Sequence, residues 1–261
     1  MRAIILAAGE GSRLYPLTRH RPKCLVELAG RSLLAYQLKA LHAAGIGDVW
    51  IVTGPYAEQI AVLGHRTRHN PQYAHTNMVA SLMHAADLLD GTDDVLIAYG
   101  DILYEPAIIQ ALCNCDTSIC TAVDRGWLPL WKLRMDNPLS DADTLKIDPS
   151  GCVSQIGGQP ASYDDIDALY IGLTKVSAAL APHIVTIYKQ LQRHHDSDLS
   201  ALQGMYMTDF LQHLIDHGQR VRAVFVDKGW LEIDSISDLE LYSTLLDDGR
   251  LNRFCRISEL C

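Results

Sequence analysis

"LAAGEGSRLYPLTRHRPK" occupies Leu6 to Lys23. A short apolar run ends at once in Gly9 and Gly11. Ser12 and Arg13 follow, and Pro22 and Lys23 come after a gap. Three readings compete: a signal peptide, a dinucleotide-binding loop, and a loop for a nucleoside triphosphate. The signal peptide fails on length, because the run Ala3–Ala8 after Arg2 is shorter than an h-region. The dinucleotide fingerprint G-x-G-x-x-G/A needs a third small residue for close helix–strand packing, and Leu14 stands there instead. Pro16 and Pro22 keep the segment extended where that fold would start a helix. No G-x-x-x-x-G-K-[ST] pattern is present either. A longer phosphate loop fits the remaining facts. Glycines let backbone N–H groups approach phosphate oxygens, an arginine can fork onto them, and a lysine can act as a point charge. Taken alone, the same residues also describe a glycine turn with surface cations.

Composition narrows the field. The chain has 261 residues, 48% hydrophobic and 20% charged, enough for one large core over residues 1–261. A net charge of -9 offers no nucleic-acid footprint, although a local anion site needs only two or three cations in a cleft. No apolar run approaches the roughly 18 residues of a membrane span, so a cytoplasmic protein without membrane partners is expected. Cys accounts for 7 residues, with no C-x-x-C pair, which predicts reduced thiols rather than disulfides or zinc. His65 and His69 share i,i+4 spacing, but an Asn-Pro follows and no third ligand is evident.

The periodicity alternates between two types. "RAIILAA" reads as a buried parallel strand, and Ser32 to Ala44 as a helix capped by Ser32 and stopped by Gly45. Asp48–Gly54 is a strand, Glu58–Leu63 a weaker helix, "TNMVASLMHAADLL" a longer helix, and Asp94–Asp101 a third strand ending on an acid. A short helix (Glu105–Leu112) and a strand (Ser118–Val123) follow. Short strands are then expected near Thr144–Ile147 and Cys152–Ile156, with a strand in "ALYIGLTKV" and a helix over Ser177–Leu191. A helix in "MTDFLQHLIDHG", strands in "RVRAVFV" and "GWLEID", and a helix capped by Ser235 close the chain. This alternation predicts an α/β fold: a Rossmann-like, mixed but mainly parallel sheet with helices on both faces. Residues 124–165, rich in Trp, Pro and charge, are expected to be an insertion covering the substrate.

The opening string, read on through "PKCLVELAGRSLL", resembles the nucleotidyltransferase superfamily of nucleoside-diphosphate-sugar pyrophosphorylases and cytidylyltransferases. Their signature is an apolar strand, L-A-A-G-x-G-x-R-L, P-L-T, then P-K-x-L and a glycine before the first helix. The middle and end resemble the phosphocholine and phosphonate cytidylyltransferases, in "TNMVASL", "VDRGWLPLWKLRMDNPLSDADTLKID", "LYIGL", "MTDFL" and "GWLEIDSISDLELY". The resemblance implies that Leu6, Ala7, Ala8, Gly9, Gly11, Ser12, Arg13, Lys23, Asn77, Ser81 and Gly100 surround the nucleotide. It also implies that Lys23 meets the reacting phosphate while Arg13 holds the departing pyrophosphate.

Asp101 ends a strand, where ligands of open α/β sheets sit. Mg²⁺ takes one or two carboxylates plus phosphates, so a second acid is expected from a distant strand. "GWLEID" offers Glu232 and Asp234; the resemblance selects Asp234 as the second metal ligand, and Ser235 can take over its capping role. The E-K-P stretch of the sugar-nucleotide enzymes is missing, and "VSQIGGQPASYDD" stands in its place. Gly158 and Gln159 occupy the region where the phosphocholine group often shows a lysine. For the acceptor, Trp127, Trp131, Tyr170 and Tyr206 could wall an ammonium group. Asp209 could pair with its charge, Arg134 could meet its phosphate, and Glu232 could help recognise it; ordinary core or surface roles stay open for each.

The expected activity is Mg²⁺-dependent transfer of CMP from CTP to a small phosphate or phosphonate acceptor, with pyrophosphate released. A sugar-1-phosphate nucleotidyltransferase and a catalytically silent nucleotide sensor are the alternatives, and homodimerisation stays open.

Overall fold

Strand β1 (Arg2–Ala7) runs through the middle of the molecule, with Ala3, Ile4 and Ile5 wholly buried. The computed structural model describes residues 1–194 and 199–260. Along β1 successive side chains face opposite ways, as strand geometry requires. Ile5 enters a core with Leu33, Leu41 and Tyr242, whereas Ile4 and Leu6 enter a second core with Val79, Leu82 and Phe210. A strand buried on both faces must be apolar throughout, which accounts for the unbroken run in the sequence.

Six more strands complete the main sheet: β2 (Asp48–Thr53), β3 (Arg66–His69), β4 (Val95–Tyr99), β5 (Ile119–Asp124), β6 (Leu169–Val176) and β7 (Val221–Val226). Their order is β7-β5-β6-β4-β1-β2-β3. The pairings are parallel except at β6, which runs antiparallel to both β4 and β5. The sheet is thus mixed and mainly parallel, as the alternation of elements predicts.

Strand β3 was not foreseen. "RTRH" has no apolar alternation, and its partner contacts explain it: the guanidinium carbons of Arg66 and Arg68 lie 5.5 and 4.1 Å from the Trp50 ring centroid. Its cations guard an open sheet edge. His69 lies in this strand, so His65 and His69 do not share a helix face. The helix expected over Thr76–Leu89 is shorter, Met78–Met83 followed by a 3₁₀ turn at Ala86–Leu88. The weaker helix is a single turn-and-a-half, Ala57–Ala61, and the helix expected from Ser177 begins at Ala181.

Two features place the functional groups. β1 and β4 are parallel neighbours, so the loop after Ala7 and the Gly100–Asp101 turn emerge at the same edge, where Gly100 N donates to Leu6 O at 2.9 Å. Beside them, Ile102–Tyr104 pairs antiparallel with Trp230–Glu232, and Ile233 N donates to Asp101 O at 3.0 Å. That two-stranded ladder carries the distant "GWLEID" segment to Asp101.

Candidate active site

Gly11 adopts φ 65° and ψ 38°, a left-handed conformation that favours glycine. A Cβ there would sit 3.0 Å from the Cβ of Lys23, so the loop also needs the missing side chain. Thr18, buried, donates to Gly11 O at 2.7 Å, and Leu14 is fully buried. These two anchors fold the loop back so that Lys23 faces inward while Arg13 stays largely exposed.

Lys23 Nζ donates to Asp101 Oδ2 at 2.8 Å and also to Asp234 Oδ1. Arg13 Nη2 lies 3.1 Å from Asp234 Oδ2. Burial would lower the Lys23 ammonium's pKa, but the charges of Asp101 and Asp234 and the bonds to them hold it well above the usual lysine range. Lys23 therefore stays a cation at every physiological pH. Burial pushes the neighbouring Cys24 thiol up to about 12, so it is no nucleophile. Asp101 Oδ1 is buried and has no hydrogen-bond partner among the described residues. A buried oxygen without a donor is a costly arrangement unless a ligand uses it. Ser235 Oγ accepts from Asp238 N at 3.2 Å and caps the last helix, Ile236–Asp247, which leaves the Asp234 carboxylate to the cluster.

Two chambers flank this cluster. The first, about 110 Å³, is lined by Leu6–Gly9, Lys23, Tyr73, Asn77, Ser81, Gly100 and Asp101, among others. Asn77 Oδ1 accepts from Met78 N at 2.9 Å, and Ser81 Oγ accepts from Asn70 Nδ2 at 2.9 Å. The second, about 150 Å³, is lined by acids Asp141, Asp143 and Glu232 and by Tyr99, Trp131, Tyr170, Tyr206 and Trp230. Met78 and Tyr99 line both chambers and form their shared wall. No lysine or arginine lines the second chamber among the described residues.

The second chamber has fixed walls. Trp131 Nε1 donates to Asp141 Oδ2 at 2.9 Å, Trp230 Nε1 donates to Asp124 Oδ2 at 2.8 Å, and the two rings lie 5.4 Å apart. With both indole N–H groups satisfied, the rings offer apolar, quadrupolar surface. Burial raises the Asp143 carboxyl's pKa; a Thr208 hydrogen bond opposes the shift, and the charges of Asp209 and Asp141 add to it. Glu232 is raised chiefly by burial and then by Asp234, while Arg134 opposes the shift.

The structure brings most of the expected residues together. Leu6, Ala7, Ala8, Gly9, Lys23, Asn77, Ser81, Gly100 and Asp101 line the first chamber, with Gly11, Ser12 and Arg13 in the loop beside it. Tyr170 and Glu232 line the second. Three residues expected at the acceptor do not line the chamber. Trp127 stands behind the chamber, edge-on to Trp131 with centroids 6.0 Å apart. Asp209 is exposed and accepts from Tyr206 N at 3.0 Å, at the start of the helix Met207–Asp216. Arg134 is withdrawn from the chamber: its side chain is 2% exposed and paired with Glu232 and Asp238. Asp141, Asp143, Tyr99 and Trp230 were missed. "SDAD" in the insertion was the available signal, but such acids look the same on a solvated loop. Gly158 has φ 77°, a left-handed conformation that a lysine would adopt only under strain.

Glycine loop, paired carboxylates and a lysine held between them at the carboxyl ends of the strands of a mixed α/β sheet define an enzyme that works on a nucleoside triphosphate. Residues 3–163 match the MobA-like NTP transferase domain, and the chain belongs to that family. It is 38% identical over 250 residues to the CTP:phosphoglutamine cytidylyltransferase of Campylobacter jejuni, covering 92% of this chain and 98% of that one. It is 35% identical over 138 residues to the CMP-5'-(3-aminopropyl)phosphonate synthase of Streptomyces rubellomurinus, covering 50% of this chain and 22% of that one. Among solved structures, the CTP:phosphocholine cytidylyltransferase of Streptococcus pneumoniae shares the fold with TM-score 0.70 at 22% identity, over 94% of this chain and 98% of that one. The chain is a nucleotidyltransferase, and its sequence groups it with the cytidylyltransferases. No helix of the described residues is long and apolar enough to cross a membrane.

Proposed function

We propose that the enzyme transfers CMP from CTP to a small acceptor that ends in a phosphate or phosphonate and carries a nitrogenous, cationic body. The observation that carries this reading is the second chamber: three acids and an aromatic wall, with no lysine or arginine among its described lining residues, sharing Met78 and Tyr99 with the first chamber. Such a lining attracts ammonium groups by charge and by ring quadrupole. The named relatives act on phosphoglutamine and an aminopropylphosphonate, both nitrogen-bearing. Missing E-K-P in "VSQIGGQP" speaks against a hexose phosphate. Residues 124–165 supply Trp131, Asp141 and Asp143, in keeping with a cover over the acceptor within one domain.

In this reading an acceptor oxygen attacks the α-phosphorus of CTP, a new P–O bond forms, and the bond to the β-phosphate oxygen breaks. The acceptor oxygen is already anionic, so no side chain has to remove a proton. Positioning and charge neutralisation are the protein's task. Lys23 stabilises charge on the reacting phosphate, and Arg13 pairs with the departing pyrophosphate.

NTP transferases of this family generally act with a divalent metal. Here the fit is good: Lys23 and Arg13 are balanced by Asp101 and Asp234, so an incoming triphosphate needs further positive charge. Asp101 Oδ1 offers an unused buried oxygen, and carboxylate oxygens suit Mg²⁺. Asp101 and Asp234 would hold that ion, whose chemistry is to neutralise and orient the phosphates.

Pyrophosphate release tests the assignment, with each of the four NTPs set against phosphocholine, aminoethylphosphonate, phosphoglutamine and glucose-1-phosphate. Turnover is expected with CTP and a nitrogen-bearing acceptor. Efficient use of UTP or dTTP with a hexose phosphate, and no use of CTP with any of the others, would overturn it.

A further inference from the structure

The buried Arg134 does not line the acceptor chamber, yet it pairs with two acids, Glu232 and Asp238, that flank the second acid in sequence. It ends the helix Leu128–Arg134 in the insertion, and its guanidinium carbon lies 4.4 Å from the ring centroid of Trp131, a wall of the acceptor chamber. Nη1 donates to Glu232 Oε2 at 2.8 Å, while Nε and Nη2 donate to Asp238 Oδ1 and Oδ2 at 2.9 and 3.3 Å. Asp238 Oδ2 in turn accepts from the backbone N–H groups of Asp234 and Ser235, both at 2.9 Å, and from Ser235 Oγ at 3.0 Å.

A carboxylate that collects this many donors is a rigid post, and the peptide it grips carries Asp234. We propose that Arg134 is a positioning residue that fixes the metal-binding acid through Asp238 and ties it to the acceptor chamber through Glu232 and Trp131. The planar fork is essential to this arrangement. Nε and Nη2 grip both oxygens of Asp238 while Nη1 reaches Glu232, a planar three-point geometry that an ammonium, a point charge, does not reproduce. A chamber wall and a metal-binding acid thus share one side chain, so the insertion and the metal site order each other. The inference rests on the assignment of Asp101 and Asp234 to the divalent ion.

Arg134→Lys keeps a buried cation and removes the fork. Mn²⁺ is titrated into the full-length protein and free ion is followed by electron paramagnetic resonance. CTP affinity without metal and the melting temperature are measured in parallel. Outer partners of metal-holding groups typically change metal affinity by ~10–100-fold, and a loss of ~10-fold or more is expected, with metal-free CTP affinity within ~2-fold of wild type. The acceptor KM should rise as well. Asp238→Asn, which leaves the chamber wall untouched, should reproduce the Mn²⁺ loss without the rise in acceptor KM. It also serves if Arg134→Lys does not fold. Wild-type Mn²⁺ affinity in folded Arg134→Lys or Asp238→Asn would overturn the relay. So would a parallel loss of Mn²⁺ and CTP affinity, the mark of general loosening. If wild type shows no Mn²⁺ binding that Asp101→Asn abolishes, the metal assignment itself falls and the relay with it.

Discussion

At the scale of single residues, Lys23 combines two properties that usually oppose one another: it is largely shielded from water, and its pKa is raised in favour of the cation. The two acids on its ammonium make that possible, since an unpaired buried cation would shed its proton. A charge held in place before substrate arrives needs little reorganisation as the transition state forms, so its effect should appear in turnover more than in binding. Lys23→Ala is expected to lower kcat by at least ~10²-fold while the KM for CTP changes far less. Steady-state pyrophosphate release separates the two parameters. A variant with normal kcat and raised KM would make Lys23 a ground-state binding residue.

At the scale of elements, the site depends on short pieces locked to one another over long sequence distances. The ladder of Ile102–Tyr104 with Trp230–Glu232 is only three residues long on each side, yet it sets Asp101 beside Asp234. One end of it is anchored by Glu105, which precedes the helix Pro106–Cys113. Glu105 accepts from Arg256 N at 2.8 Å and from Arg256 Nη2 at 2.6 Å, joining the C-terminal segment to the ladder. Burial would raise the Glu105 carboxyl's pKa, but the Arg256 bonds and charge outweigh it and hold the group below its usual range. A carboxyl depressed in the folded state stabilises above its unfolded pKa of about 4.3, and that stability is lost as pH falls through the lower folded value. Glu105→Gln should therefore lower the melting temperature at pH 7, and the gap from wild type should narrow as pH falls from about 4.3 through the lower folded value. Thermal melts across that range check it; a gap that stays constant with pH would assign the loss to packing instead of charge.

At the scale of the whole molecule, two chambers with unlike linings share a wall of Tyr99 and Met78 at the edge of one sheet. Burial raises the Tyr99 phenol's pKa, so the ring stays neutral, and it stands edge-on to Tyr170 at 5.7 Å between centroids. A shared wall predicts shared consequences. Tyr99→Leu should raise KM for both CTP and the acceptor, whereas Asp143→Asn should raise the acceptor KM alone, by roughly 5-fold for the loss of about 1 kcal/mol of charge interaction. Two-substrate kinetics on each variant decide this. An unchanged acceptor KM in Asp143→Asn would remove that acid from acceptor recognition.

Local physics made much of this legible in the sequence. The unbroken apolar run of β1, the glycines with Arg13 and Lys23, the acid at the end of "VLIAYGD" and the Ser235 cap are all short-range patterns, because strand burial, loop freedom and capping act over a few residues. They sufficed for the mixed α/β sheet and for the glycine loop that carries Lys23 to the paired acids. What only the tertiary structure decided depends on which distant segments pair. "RTRH" became a strand because Trp50 gave its arginines a surface. Asp141 and Asp143 became chamber walls because they come to line one cavity with Leu169–Gly172 of β6. In the sequence Arg134 reads equally as a contact for the acceptor phosphate or as a surface cation, but it is buried because Glu232 and Asp238 compensate its charge there. A charged side chain leaves water only where opposite charges await it, and their positions are a property of the folded chain rather than of any stretch of sequence.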